Sequence, residues 1–204
     1  MLNPDFGLVA GRGVVLLGAV GATPPTFADL ESYAFAGSLA EAELPSGWTT
    51  FGDTDTEDLP EWDSDGGDTT MLSTWAFPNV REILDGEPKT NFFTVQAIEF
   101  ATDTMELFEG GGTAEDGVFW APGQPVPTQA AVTVVFMDTS VGGGQVTAYH
   151  APKMNIRGDE GVTLNADAWS QIPLRFTELT HPGAKGPHAW IGRGFTAPVT
   201  EPAA

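Results

Sequence analysis

The chain has 204 residues, 41% of them hydrophobic, with 13 Phe, 6 Trp and no Cys; 28 acidic residues face 8 basic ones, for a net charge of −20. A chain of this length can bury about 70% of its unfolded surface, in one domain or one domain with an elaborate loop, and its apolar supply argues against disorder throughout. The charge argues against nucleic-acid binding, which needs clustered Lys and Arg, and repels anionic membranes; the missing thiols exclude disulfides, thiolate zinc sites and a Cys nucleophile.

The 25 Gly and 16 Pro punctuate short segments, as strands and turns require. Residues 1–12 read as a flexible polar arm. The apolar run 14–20 follows Arg12 and superficially resembles the core of a secretory leader. The arm before it carries Pro4 and Asp5, however, and Gly13, Gly18 and Gly21 weaken a helix, so a buried strand is the better reading. The run is also far short of the ~20 residues a membrane span needs. Thr26 is placed to cap a short helix with Phe27, Leu30 and Ala34 on one face and Asp29 and Glu31 in its first turn. A turn at Pro45-Ser46-Gly47 leads into a strand at 48–52.

Residues 53–68 hold eight acids and no base. They read as a long solvated loop with two apolar anchors, Leu59 and Trp62. Strands are expected at 69–75, 80–84 and 91–100. Asp103 and Glu106 then stand in capping-box spacing, Ala101, Met105 and Phe108 share a helical face, and Gly110-Gly111-Gly112 stops the helix. The almost wholly apolar stretch 130–137 reads as a central strand covered on both faces. A glycine turn at 142–144 precedes a long strand, 145–157, interrupted at Pro152. Ile172, Leu174 and Phe176 alternate with Pro173, Arg175 and Thr177 as a half-buried strand does. Residues 182–187 form a loop, 189–195 close the fold, and 197–204 are a loose tail. The expectation is a mainly β chain, a sandwich or partly closed barrel of two packed sheets with one or two helices.

Catalytic and metal motifs are weak. His150, His181 and His188 lack compact metal spacing, and no Ser sits in a nucleophile elbow, so they read as isolated histidines of surface and loops. Asp53, Asp55 and Glu57 copy the first alternating positions of a calcium loop. The sixth position is then Asp58 where Gly is needed, and the twelfth is Ser64 where Glu is needed. No cofactor is expected. The tryptophans (Trp48, Trp62, Trp75, Trp120, Trp169, Trp190) can stack on sugars or fill a β core or a subunit interface, and spacing does not separate these.

One stretch carries a resemblance. Gly47-Trp48-Thr49-Thr50-Phe51-Gly52-Asp53-Thr54, then Glu57-Asp58-Leu59-Pro60-Glu61-Trp62 and Asp65-Gly66-Gly67-Asp68, resembles the major tail tube proteins of long-tailed phages of actinobacteria; the later run Ile172-Pro173-Leu174-Arg175-Phe176-Thr177-Glu178-Leu179 is similar as well. The resemblance implies a single tail-tube domain over 1–204: two packed β-sheets with a flanking helix at about 101–109 that includes Asp103, Met105, Glu106 and Phe108. It implies a structural virion protein with no catalytic residues. Six copies would form a ring, and rings would stack into a tube around the tape measure protein, between tail terminator and tail tip proteins. Assembly would occur in the bacterial host cytoplasm, and DNA would pass through the tube without tight binding. The acid excess suits such a wall, since it repels phosphate. The acidic loop would be an intersubunit arm made of Asp53, Asp55, Glu57, Asp58, Leu59, Pro60, Glu61, Trp62, Asp63, Asp65 and Asp68, reaching basic residues such as Arg81, Lys89, Arg157 or Arg175 on a neighbour. The alternatives are a calcium-dependent carbohydrate-binding or adhesin β-module and another structural phage protein, a tail terminator or connector.

Overall fold

In the computed structural model, residues 10–34, 44–50, 52–55, 58–67, 69–73, 81–84, 87–138, 145–193 and 195 are described. Twelve strands and two helices lie among them: β1 (Ala10–Gly18), α1 (Phe27–Ala34), β2 (Trp48–Thr50), β3 (Glu61–Asp65), β4 (Thr69–Leu72), β5 (Arg81–Leu84), β6 (Thr90–Ala97), α2 (Thr102–Glu109), β7 (Thr113–Glu115), β8 (Val118–Trp120), β9 (Thr128–Asp138), β10 (Val146–Gly158), β11 (Ile172–Glu178) and β12 (Ala189–Gly192). The fold is mainly β. Eight strands form one sheet in the order β2-β1-β9-β10-β11-β6-β3, with β12 on β10; β4-β5 and β7-β8 are separate hairpins, and no barrel closes among the described residues.

The chain forms two compact units, one of residues 1–56, 129–154 and 179–204, the other of 57–128 and 155–178. In the first unit, β9 runs antiparallel to β1, and its apolar run is buried almost throughout, on both faces of the strand as the sequence indicates. Leu16, Leu30, Trp48, Ala131, Val135, Met137, Val146 and Ala148 make its core, with Phe27 and Ile191 packed against it. Helix α1 starts as the sequence indicates: the Thr26 hydroxyl accepts the Asp29 N–H at 3.2 Å, and the Asp29 carboxylate accepts the Thr26 N–H at 3.1 Å. This reciprocal pair satisfies two donors that a helix start leaves open. Glu31 lies beyond the first turn, which holds Asp29 alone of the acids.

In the second unit, β6 pairs with β11 on one side and β3 on the other. Ile172, Leu174 and Phe176 are fully buried, and Phe176 stacks on Phe93 with ring centroids 4.7 Å apart. Helix α2 sits where it is expected but is rotated and starts differently. Its N-cap is Ala101, without a side-chain bond, so Asp103 lies inside the first turn, where its charge meets the helix dipole and caps nothing. The helix buries Thr104 and Leu107; Met105 and Phe108 are half-buried and Ala101 is exposed. Gly110 ends the helix in the left-handed region. A Cβ on Gly158 would stand 2.8 Å from the Phe108 ring, so the missing side chain lets α2 approach the end of β10.

Three further expectations change. β1 begins at Ala10, so residues 10–12 belong to a strand and not to the arm. Strand β10 runs through Pro152 without a break. The hairpin β7-β8 was not anticipated, although Asp116 (φ 52°) and Gly117 (φ 77°) form the two-residue positive-φ turn that an Asp-Gly pair favours. Residues 1–9, 74–80, 142–144 and 197–204 lie outside the described residues.

Candidate assembly surfaces

The acidic stretch is not one solvated loop. Asp53 and Asp55 fall in the first unit, where Asp53 is exposed and Asp55 is buried. Asp58 onward falls in the second, and Glu57 and Asp68 lie outside the described residues. Residues 61–65 form β3, paired with β6 from Glu61↔Thr94 to Asp65↔Thr90. The alternation of a strand puts Glu61, Asp63 and Asp65 on the exposed face and Trp62 and Ser64 on the inner one. Trp62 lies 5.1 Å from the Phe93 ring, so this anchor packs within its own chain. Leu59 is exposed, Pro60 partly so, and Asp58 accepts the Gln171 side-chain amide at 2.6 Å.

Arg175 is already engaged inside its own subunit. Its guanidinium lies over the Phe92 ring, 3.5 Å from the centroid, binds the Asp65 carboxylate, and stands 3.7 Å from Asp159. A cation held over an aromatic face and flanked by two carboxylates is a fixed part of the β3-β6-β11 surface. Within its own subunit it already faces two carboxylates. Strand β3 ends the order of the large sheet.

The three histidines lie in different surroundings. His150 is buried, against the expectation of a surface residue: its Nδ1 is 2.9 Å from the Thr133 hydroxyl, and Trp48 meets it edge-on at 5.7 Å. Burial lowers its pKa to about 4, so the ring is neutral at pH 7 and serves as packing with one hydrogen bond. His181 lies against Gly21, and His188 stands 5.4 Å from the Tyr149 ring. Among the described residues no three of His, Cys, Asp and Glu gather to hold a metal ion, and no helix is long and apolar enough to cross a membrane.

Among the described residues large apolar side chains are exposed at several places, Phe100, Leu164 and Trp169 among them, and two of these places lie on or beside β8 and β12. Trp120 on β8 is 63% exposed, and Val118 is exposed on the same side of the hairpin. In the other unit Trp190 on β12 is 45% exposed and Phe195 66% exposed. Trp190 belongs to an aromatic row, 6.4 Å from Phe136 and 5.3 Å from Tyr149. The sequence offers Trp120 and Trp190 as core or interface residues without separating the two, because a tryptophan's exposure depends on its strand's register; Val118 and Phe195 carry no signal of their own.

A family model described as phage tail tube protein matches residues 1–201. The chain is 32% identical over 194 residues to the major tail protein Gp23 of Mycobacterium phage L5, covering 93% of this chain and 92% of that protein. It is 30% identical over 191 residues to the major tail protein Gp23 of Mycobacterium phage D29, with the same coverage of both.

Proposed function

The chain belongs to the phage tail tube protein family, and we propose that its copies close into six-membered rings that stack as the wall of a phage tail. That wall would surround the tape measure protein, meet terminator and tip proteins at its ends, and let DNA pass. Assembly would take place in the host cytoplasm. The observation that carries the reading is the extent of the family match, residues 1–201, together with two relatives named major tail protein, each covered to 92% of its length. A repeated head-to-tail contact between identical subunits closes as a ring when the rotation allows.

Two physical features support it. The net charge of −20 disfavours phosphate binding, which suits a conduit through which DNA slides. The edge strand β3, with its exposed acids and the exposed Leu59 just before it, offers backbone groups and one apolar contact to a neighbouring copy. In this revised form the intersubunit arm of residues 53–68 keeps Leu59 as its anchor, while Trp62 supports the strand from inside.

Electron microscopy of the purified protein, with light scattering across concentration and salt, tests the proposal: rings or tubes are expected. A chain that stays monomeric throughout overturns it. Leu59→Ala should weaken assembly and leave the monomer's melting unchanged, whereas Trp62→Ala should also destabilise the monomer because it removes the contact with Phe93. Micromolar binding to duplex DNA that weakens steeply with salt would sink the non-adhering conduit.

A further inference from the structure

Charge is unevenly spread along the sequence, and two of the exposed aromatic sites fall at opposite extremes of it. Residues 99–127, which hold α2 and the β7-β8 hairpin, carry Glu99, Asp103, Glu106, Glu109, Glu115 and Asp116 and no base. Residues 179–200, which hold β12, carry Lys185 and Arg193 and no acid. The first segment ends in a preorganised ribbon. Its turn at Asp116-Gly117 is in the positive-φ form, and its register, Thr113↔Trp120 and Glu115↔Val118, sets Trp120 and Val118 on the same side as Glu115. Exposed Trp120 thus lies on the same face of the hairpin as exposed Glu115, with Asp116 at the turn.

The second segment is its complement. Trp190 and Phe195 are exposed, Arg193 lies between them in the chain, and Lys185 is exposed five residues before Trp190. Arg193 makes an ion pair with Glu31 at 2.8 Å, with both side chains open to solvent, so it stays free to exchange partners. Two copies of a chain with net charge −20 repel each other over most of their surfaces. They can meet most readily where one copy's acidic hairpin, with exposed Trp120, faces the other's Trp190–Phe195 region, where Lys185 and Arg193 outnumber the paired Glu31. Aromatic anchors within a ring of opposite charge are the common make-up of a specific interface.

We infer that the β7-β8 hairpin of one copy docks on the Trp190–Phe195 patch of a second copy, with Glu115 and Asp116 meeting Lys185 and Arg193. The inference rests on the tube reading, and the contact is head-to-tail, using two different patches per copy. One such contact leaves a patch unspent on one subunit and a tip unspent on the other, so further copies can add.

The test exploits the absence of native cysteine. A Glu115→Cys/Arg193→Cys variant, assembled and treated with a short bis-maleimide, should give a ladder of covalent oligomers on a denaturing gel. Each single-Cys variant should stop at monomer or dimer. In parallel, Glu115→Lys/Asp116→Lys and Lys185→Glu/Arg193→Glu should each raise the concentration needed for assembly roughly tenfold or more, the scale of losing a central interface contact. Combining all four changes should bring it back to within a few-fold of the parent. Circular dichroism checks that each variant is folded. A parent that forms tubes, with no ladder from the double-Cys chain or no recovery in the combined variant, overturns this contact and leaves the tube reading standing. A parent that never associates overturns both.

Discussion

The two compact units differ most in where they keep their charge. The unit of residues 1–56, 129–154 and 179–204 holds nine acids and four bases; the unit of 57–128 and 155–178 holds 19 acids and four bases. The acid-rich unit nonetheless has an apolar, stacked interior, with Phe93 and Phe176 fully buried. The acid-poor unit buries a titratable ring, His150, beside Thr133 and Trp48. Surface charge and buried polarity are therefore separate variables. Most of the acids of the second unit lie where water screens them, while one neutral histidine in the first unit places its core under pH control.

This contrast can be broken at four points. The largest effect belongs to the aromatic stack. Phe93→Ala removes a ring that touches both Phe176 and Trp62, and should cost about 3–5 kcal/mol of stability in urea unfolding. A loss below about 1 kcal/mol would mean that the stack is not the second unit's core.

The next effect is acid-dependent. An unfolded histidine takes its proton near pH 6.5, whereas His150 does so only near 4. The unfolded chain therefore binds the proton first as pH falls. This group's contribution is fully present above about pH 6.5, shrinks between 6.5 and 4, and levels below that, a loss on the order of 3 kcal/mol. His150→Gln keeps a hydrogen-bonding partner for Thr133 and cannot titrate. Denaturation midpoints at pH 7 and pH 4.5 should fall less in the variant than in the parent; equal falls would place the acid sensitivity elsewhere, in the carboxylates.

Smaller still is the helix seat. Gly158→Ala forces a methyl against the Phe108 ring and the Phe108 carbonyl, 3.0 Å from the new carbon, and should cost about 1–3 kcal/mol by thermal melting. The least effect is Thr26→Ala, which deletes the reciprocal cap of α1 for about 1 kcal/mol, read as a small drop in melting temperature.

How much of this was legible depends on whether a segment declares its own partner. The alternation at Ile172, Leu174 and Phe176 and the apolar run at 130–137 follow from burial alone, and both strands appear where the sequence puts them. The cap at Thr26 and Asp29 is local, and it too was readable. Strand β3 was not: Glu61-Trp-Asp63-Ser-Asp65 has a single apolar residue, and only pairing with β6 makes it a strand. Helix α2 was found, but its buried side is set by tertiary packing and falls on Thr104 and Leu107, one position from the expected stripe. The hairpin at Asp116-Gly117 carried a local signal in its turn dipeptide, masked by flanking strands of only three residues.

Pro152 has a further consequence, for how the chain avoids mispairing. On β10, residues 147–150 pair with β12, while the carbonyl of Lys153 accepts the Leu179 N–H at 3.0 Å. Pro152 falls between these two attachments, and its own carbonyl accepts the Gly21 N–H at 2.8 Å. A proline cannot return a donor. Lys153 turns its carbonyl to the edge of β10 that carries β11, so strand alternation turns Pro152 to the other edge, toward β9; a strand slipping along that edge would meet a position that cannot donate and whose acceptor is taken. The proline thus acts as a stop on a ruler for the β9 edge of β10, where an off-register pairing would stay incomplete.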